Sequence, residues 1–235
     1  MPPLQVQIQE NFFAQVSHRF PADKILNPSL SQKLEFTHIN QLLALSPKAQ
    51  LLDFGCGSGR LTIDFLRQGF DVLGVDISVE SLNELEYLYS KHRKKNWGRL
   101  TLAQKIPKNR IFDAIIGSDI LHHLNFTEFL PILRNRLKKG HSAVFSEPNA
   151  WYPLWYPIVL GNYTIEKGLF HCSIPKLTKA IQKAGFQKSE FAGHGLIPTR
   201  LLNPSPLLCR QNALTWGNTS ITKYFAFRLI IKAVA

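Results

Sequence analysis

The chain has 235 residues, 45% hydrophobic and 19% charged, with a mean hydropathy of −0.07; these values exclude a disordered polyelectrolyte and an integral membrane protein, and leave room for one compact α/β domain with a small insertion. Lys and Arg number 28 against 16 acidic residues, a formal charge of +12, which favours anionic partners such as nucleic acid, phosphorylated metabolites or an acidic membrane surface without choosing among them. Three widely spaced cysteines, Cys56, Cys172 and Cys209, make neither a disulfide framework nor a zinc knuckle and point to a reducing, cytoplasmic setting.

The opening MPPLQVQIQENFF has no basic stretch followed by an apolar core, so no secretory signal is expected. Residues 1 to 47 mix short amphipathic runs (Phe12, Phe13 and Val16, then Phe36, Ile39, Leu42 and Leu43) with a bend around Pro21 and Pro28, and predict a helical cap. From residue 48 to 147 the texture changes. The runs LLDF, VLGVD, FDAIIG and SAVFS predict strands, and the segments between them carry helical spacing. Near-continuous apolar strands alternating with helices imply a parallel sheet covered on both faces.

Residues 148 to 172 break the rhythm with NAWYPLWYPIVLGNY, an aromatic and proline-rich insertion too short and too interrupted to span a bilayer. Residues 173 to 235 resume it. A helix begins at Pro175 and ends before Gly185, a strand runs from Phe186 to Ala192, Gly193 to Asn218 reads as loop with Pro198, Pro204 and Pro206, and KYFAFRLIIKAV predicts a final strand. No internal repeat or linker divides the chain, so one domain is expected.

Chemistry concentrates at QLLDFGCGSGRLTIDFL, where an apolar strand precedes Gly55, Gly57 and Gly59 and a helix follows. Such a turn brings backbone N–H groups and a helix N-terminus against a ligand. The nicotinamide-type GxGxxG would need glycine at Arg60, and no Lys-Ser/Thr pair closes a P-loop. At the end of the next strand stands Asp76, where a carboxylate can accept both hydroxyls of a ribose. With these two signals in place the chain resembles the class I S-adenosylmethionine-dependent methyltransferases: LLDFGCGSGR is similar to their first motif, VDIS to their second, FDAIIGSDILHHL to their strand-four region and RLKKGHSAVFSEPN to the approach to strand five. The likeness covers roughly residues 40 to 192 and, more loosely, the terminal strand.

The resemblance implies a Rossmann-like, seven-stranded, mostly parallel sheet with helices on both faces and an antiparallel terminal strand, and S-adenosyl-L-methionine as cofactor. Carried over, Asp53 and the Gly55 to Gly59 turn, Cys56 included, would hold the methionine part, Asp76 the ribose, and Ile77 the adenine, while Ser118 would line the reacting end. For Cys56 itself, ordinary packing under the turn is the plainer reading. Family members often carry an acid near the end of strand three; Ala103 and Gln104 stand there, and Gln104 can accept through its carbonyl.

Methyl transfer from a sulfonium mainly requires alignment and exclusion of water, with a base only where the nucleophile must lose a proton. His122 and His123, directly after strand four, are the candidates for that base. With Asp119 they fall at i, i+3 and i+4, a set able to ligate a transition metal that resembles, with two of the three residues different, the Glu, Glu, His set with which ubiquinone-pathway O-methylating enzymes bind a divalent ion. In the plainer reading His123 packs in the core and His122 faces solvent or substrate, and no metal is assigned. Glu147, at the end of strand five, either orients a polar substrate group or caps the following turn. His171 and His194 read as surface or packing residues. Trp151, Tyr152, Trp155, Tyr156 and Tyr163, as family members place their substrate-selecting insertion here, would form a lid over the acceptor, against the alternative of a patch packed on the N-terminal helices.

The expected function is methyl transfer to a small-molecule or lipid-like acceptor, apolar or anionic. An RNA methyltransferase is the second reading, raised by the sequence pI of about 9.8 and opposed by Ser118-Asp119-Ile120-Leu121 standing where an Asn/Asp-Pro-Pro-aromatic motif would serve base methylation. A cofactor-binding scaffold without turnover is the third.

Overall fold

The computed structural model describes residues 21–46, 48–197, 202 and 205–235; the expected amphipathic run at Phe12, Phe13 and Val16, and Pro198 and Pro204, lie outside the described residues. Seven strands, β1 (Gln50–Phe54), β2 (Asp71–Val75), β3 (Leu100–Ala103), β4 (Phe112–Ser118), β5 (Leu137–Pro148), β6 (Lys188–His194) and β7 (Arg228–Val234), form one sheet in the order β3-β2-β1-β4-β5-β7-β6. The pairs β1·β2, β1·β4, β2·β3 and β4·β5 are parallel. β7 runs antiparallel to both β5 and β6, from Ser142↔Val234 to Pro148↔Arg228 on one side and Lys188↔Val234 to His194↔Arg228 on the other. This is the mostly parallel, Rossmann-like sheet expected, reversed only at its terminal strand.

Nine α-helices are described: α1 (Ala22–Leu26), α2 (Leu30–Leu43), α3 (Thr62–Arg67), α4 (Val79–His92), α5 (Phe126–Arg134), α6 (Tyr156–Gly161), α7 (Tyr163–Glu166), α8 (Ile174–Lys183) and α9 (Pro206–Leu214). Alternate residues of each central strand feed opposite faces. Leu52, Ile115 and Phe145 pack with Leu133 of α5 and Leu177 of α8, whereas Leu51, Ile116 and Val144 pack with Ile39 of α2, Phe65 of α3 and Leu85 of α4. The sheet is therefore buried on both faces, which is why its strands read as unbroken apolar runs.

Three local expectations are corrected. The stretch read as loop contains α9, because Ser205 caps it through Leu208 N–H and Pro206 fits its first turn. Lys223 to Phe225 belong to a 3-10 turn, so the final strand begins only at Arg228. β5 begins at Leu137, five residues before the SAVFS run expected as its strand; Gly140, at φ 77, donates to Ala235 O at 2.9 Å. The aromatic insertion folds as 3-10 turns at Pro153–Trp155 and Lys167–His171 around α6 and α7. Among the described residues no helix is long and apolar enough to cross a membrane.

Candidate active site

At the carboxyl ends of β1, β2, β3 and β4 lies a cavity of about 1220 Å³, where open α/β sheets bind ligands. One end is the glycine turn. Gly55 and Cys56 both donate to Val75 O, at 2.8 and 3.1 Å, which folds the turn back onto β2. Gly59, at φ 97, faces Leu85 so closely that a Cβ would stand 2.3 Å from Leu85 Cδ1. Gly57, at φ 50, has nothing within 4 Å of its missing Cβ and forms part of the cavity wall, so the turn is a cradle open on the ligand side.

Asp76 follows β2. Its Oδ2 accepts from Gly57 N–H at 2.8 Å and its Oδ1 from Ser78 N–H at 2.9 Å. Burial raises its carboxyl above the usual range against the pull of those N–H donors. Asp53 is nearly inaccessible and accepts from Thr62 Oγ1 at 2.5 Å; burial, with a smaller push from Asp76, holds it at about 7 in spite of Thr62. Ile77 and Gln104 line the same end, with Gln104 Nε2 donating to Ile77 O at 3.3 Å. Cys56 also lines it, and its thiol is pushed far up by burial. Every position expected to hold cofactor, Ser118 included, therefore borders this one cavity.

The middle of the wall carries a charge network of which the sequence reading assigned a site role only to Ser118 and Asp119. Arg60 contacts Ser118 Oγ and lies 3.1 Å from Asp119 Oδ2 and 3.7 Å from Glu35 Oε1. From β7, Arg228 reaches Asp119 Oδ1 at 2.9 Å, Glu35 Oε1 at 3.4 Å and Ser146 O at 2.8 Å. Burial alone would raise the Asp119 carboxyl, but Arg228 and Arg60 hold it well below the usual range; Glu35 is lowered against burial by the same two cations. Asp119 adopts φ 58, a left-handed conformation rare for a side-chain-bearing residue, and this turns it toward the arginines. It does not join the two histidines.

His122 is the buried histidine and His123 the half-buried one, the reverse of the plainer sequence reading. His122 Nδ1 lies 2.7 Å from Glu147 Oε2 and its Nε2 3.4 Å from Glu166 Oε2. Burial would lower its pKa, but the hydrogen bonds to Glu147 and Glu166 and the charges of Glu147 and Asp119 prevail and raise it to about 9. His122 is thus an imidazolium between two carboxylates. His123 packs against it with its ring tilted by 45° and the ring centroids 3.9 Å apart, and borders the cavity. The donor atoms that do converge, from His122, His123 and Glu166, lie within 4.8 Å of one another; with Nδ1 turned to Glu147, Nε2 is the atom His122 would offer to a metal, and without one it faces Glu166. Glu147 is wholly buried, and its Oε1 accepts from Ile120 and Leu121 N–H at 2.9 and 2.8 Å. It caps the backbone after β4 rather than the turn after β5, and it does not line the cavity.

The other end of the cavity is walled by Phe129 and Ile132 of α5 and by Tyr163, Phe170 and His171 of the insertion. None of Trp151, Tyr152, Trp155 or Tyr156 lines it. Trp151 stacks on Tyr224, Trp155 stacks on Phe227 and donates to Phe227 O, Tyr152 donates to Leu196 O, and Tyr156 donates to Ala150 O. The rings of Trp151, Tyr152 and Trp155 pack on the approach to β7, Tyr156 packs behind Phe170 with ring centroids 5.7 Å apart, and the insertion reaches the cavity with its later residues. His194 is buried beside Ser31 and the charge of Glu35, away from the cavity. Sequence reasoning missed Arg60, Arg228, Glu35 and Glu166. The available signals were Arg228 as a lone charge within FAFRLII, and Glu166 as one of only two acids after residue 147.

The profile of the family described as "Methyltransferase domain" matches residues 30–190. Ubiquinone biosynthesis O-methyltransferases of Pelagibacter ubique and Rickettsia canadensis are 27% and 29% identical over 41% and 43% of this chain, and 40% and 44% of theirs; the chain thus matches under half the length of these relatives. A Thermotoga maritima SAM-dependent methyltransferase described as a possible histamine N-methyltransferase superposes with a TM-score of 0.63 at 14% identity, over 96% of this chain and 99% of that one. The magnesium protoporphyrin IX methyltransferase of Synechocystis PCC 6803 with bound SAM gives 0.59 at 15% identity, over 100% and 99%. At these identities the two structures share the fold.

Proposed function

This chain belongs to the methyltransferase-domain family, and on that premise we propose that it binds S-adenosylmethionine in the cavity and transfers its methyl group to a hydroxyl of a small, mainly apolar or aromatic acceptor. One observation carries the reading: the Asp76 carboxylate is fixed at the cavity wall by Gly57 and Ser78 N–H beside the open cradle at Gly57. Each oxygen there keeps acceptor capacity for one hydroxyl of a ribose diol. Ile77 and Gln104 offer an apolar face and an amide to the adenine, and the zwitterionic methionine end meets Asp53, the turn and the cation of Arg60.

The bound cofactor supplies an electrophilic methyl on a sulfonium. The chain's residues bind, orient and exclude water. Phe129, Ile132, Tyr163 and Phe170 present apolar wall to the acceptor, and Lys167 and His171 beside them suit an anionic substituent. His122, held as an imidazolium, is unfit to take a proton at neutral pH, which leaves His123 to accept it from the hydroxyl. The O-methyltransferase relatives support oxygen as the acceptor atom, and no feature of the site favours RNA or a scaffold over turnover.

Calorimetry with S-adenosylmethionine tests the cofactor site. Asp76→Ala is expected to weaken binding by about 1.5–3 kcal/mol through loss of charge-assisted hydrogen bonds. An unchanged dissociation constant in the folded variant removes Asp76 from the site. Transfer of a labelled methyl group to catechol and other simple phenols tests the acceptor class.

A further inference from the structure

The acceptor end of the cavity depends on a segment outside the strand framework. α7 and the 3-10 turn Lys167–His171 supply Tyr163, Lys167, Phe170 and His171 to the wall. Two contacts docking this segment on the reacting end converge on His122. Glu166 Oε2 lies 3.4 Å from His122 Nε2, with the two side chains 8% and 3% exposed. A Cβ on Gly168 would stand 1.7 Å from His122 O, so the turn's backbone lies directly on the backbone after β4. His122 is itself anchored through Nδ1 to Glu147 of β5, whose second oxygen holds Ile120 and Leu121 N–H.

A buried carboxylate–imidazolium–carboxylate row is a poor way to gain stability, because desolvating three charges consumes most of what their attraction returns. What it provides is direction. An apolar contact would tolerate the wall sliding over the segment after β4, whereas an N–H aimed at a carboxylate oxygen fixes one register. Glu166 does not border the cavity, although Ile165 and Lys167 on either side of it do. Resting on the methyl-transfer reading above, we propose that Glu166 is a positioning residue: through His122 it clasps the wall of residues 163–171 against the reacting end and so sets where the acceptor's nucleophile lies, without contact to cofactor or acceptor.

Hydrogen–deuterium exchange read by mass spectrometry tests the clasp in the full chain. Glu166→Ala should raise exchange about tenfold in residues 163–171 and leave residues 50–76 unchanged. Glu166→Gln, whose side-chain carbonyl still accepts from the imidazolium, should restore exchange to within about twofold of the parent. Gly168→Ala should loosen the same segment while leaving Glu166 in place. Affinity for S-adenosylhomocysteine should stay within about twofold in all three, while the KM for catechol rises about tenfold in Glu166→Ala and returns in Glu166→Gln. Unchanged exchange in 163–171, an increase spread over the whole chain, or failure of Glu166→Gln to rescue would overturn the proposal. So would stoichiometric Mn²⁺ binding abolished by Glu166→Ala, because a metal needs the His122 lone pair that the clasp replaces with a donor. If the parent protein binds no cofactor and methylates no phenol, the methyl-transfer reading fails, and the exchange comparison still decides the clasp.

Discussion

His122 ties the chemistry of the site to its pH response. Its folded-state pKa of about 9 lies above its ordinary value of 6.5, so the folded state binds the proton more tightly than the unfolded one. The resulting stability is complete below about pH 6.5 and is lost as pH rises through 9, and for a shift of this size it amounts to a few kcal/mol. The urea midpoint should therefore fall between pH 7 and pH 10, with a His122 ring resonance titrating near pH 9 by NMR; a ring neutral at pH 7 would remove both the imidazolium and the argument against it as base. Asp53, raised to about 7, works in the same direction across a lower window, from its ordinary 3.8 upward. For His123, replacement by Gln should lower turnover on a phenol about 10²- to 10⁴-fold while leaving cofactor affinity intact. Full turnover in that variant would mean that alignment alone suffices.

Among the elements, the turn between β1 and α3 carries the strictest backbone demand. Gly59 combines φ 97 with a 2.3 Å approach of its missing Cβ to Leu85, so Gly59→Ala meets strain and collision together. A loss of about 2–4 kcal/mol is expected in denaturant titration, and trimming Leu85 to Ala should not recover it, because the φ penalty remains. This turn was legible in the sequence because its constraint is local: three glycines between an apolar strand and a helix, then a carboxylate one strand later. The clasp and the Arg60–Asp119–Arg228–Glu35 network were not. They join residues from α2, the turn, the segment after β4, β7 and α7, and no spacing rule links Glu35 to Arg228. The aromatic insertion misled for a related reason. Trp151 and Trp155 carry the composition of a binding wall, but rings that large find a partner in Tyr224 and Phe227 beside β7, leaving Tyr163 and Phe170 to reach the cavity. α9 was hidden by the prolines around it, one of which begins it.

For the molecule as a whole, the placement of β7 between β5 and β6 governs the order in which the sheet can assemble. β6 is made earlier on the chain than β7, the strand it pairs with among the described residues. Until Arg228–Val234 leaves the ribosome, the nascent domain holds β5 with an open edge on one side and β6 with no neighbour at all, and closing them is a single event of long sequence separation. Released chains truncated after residue 220 should therefore be cleaved rapidly by protease in the β6 region, while the segment from β1 to β4 is already protected, and restoring residues 221–235 should make β6 resistant in one step. Protection of β6 in the shorter chains would contradict this order. An edge of buried character left open for that interval invites pairing with another copy, so a chain that lacks β7 would be paid for in aggregates rather than in lost activity per folded molecule.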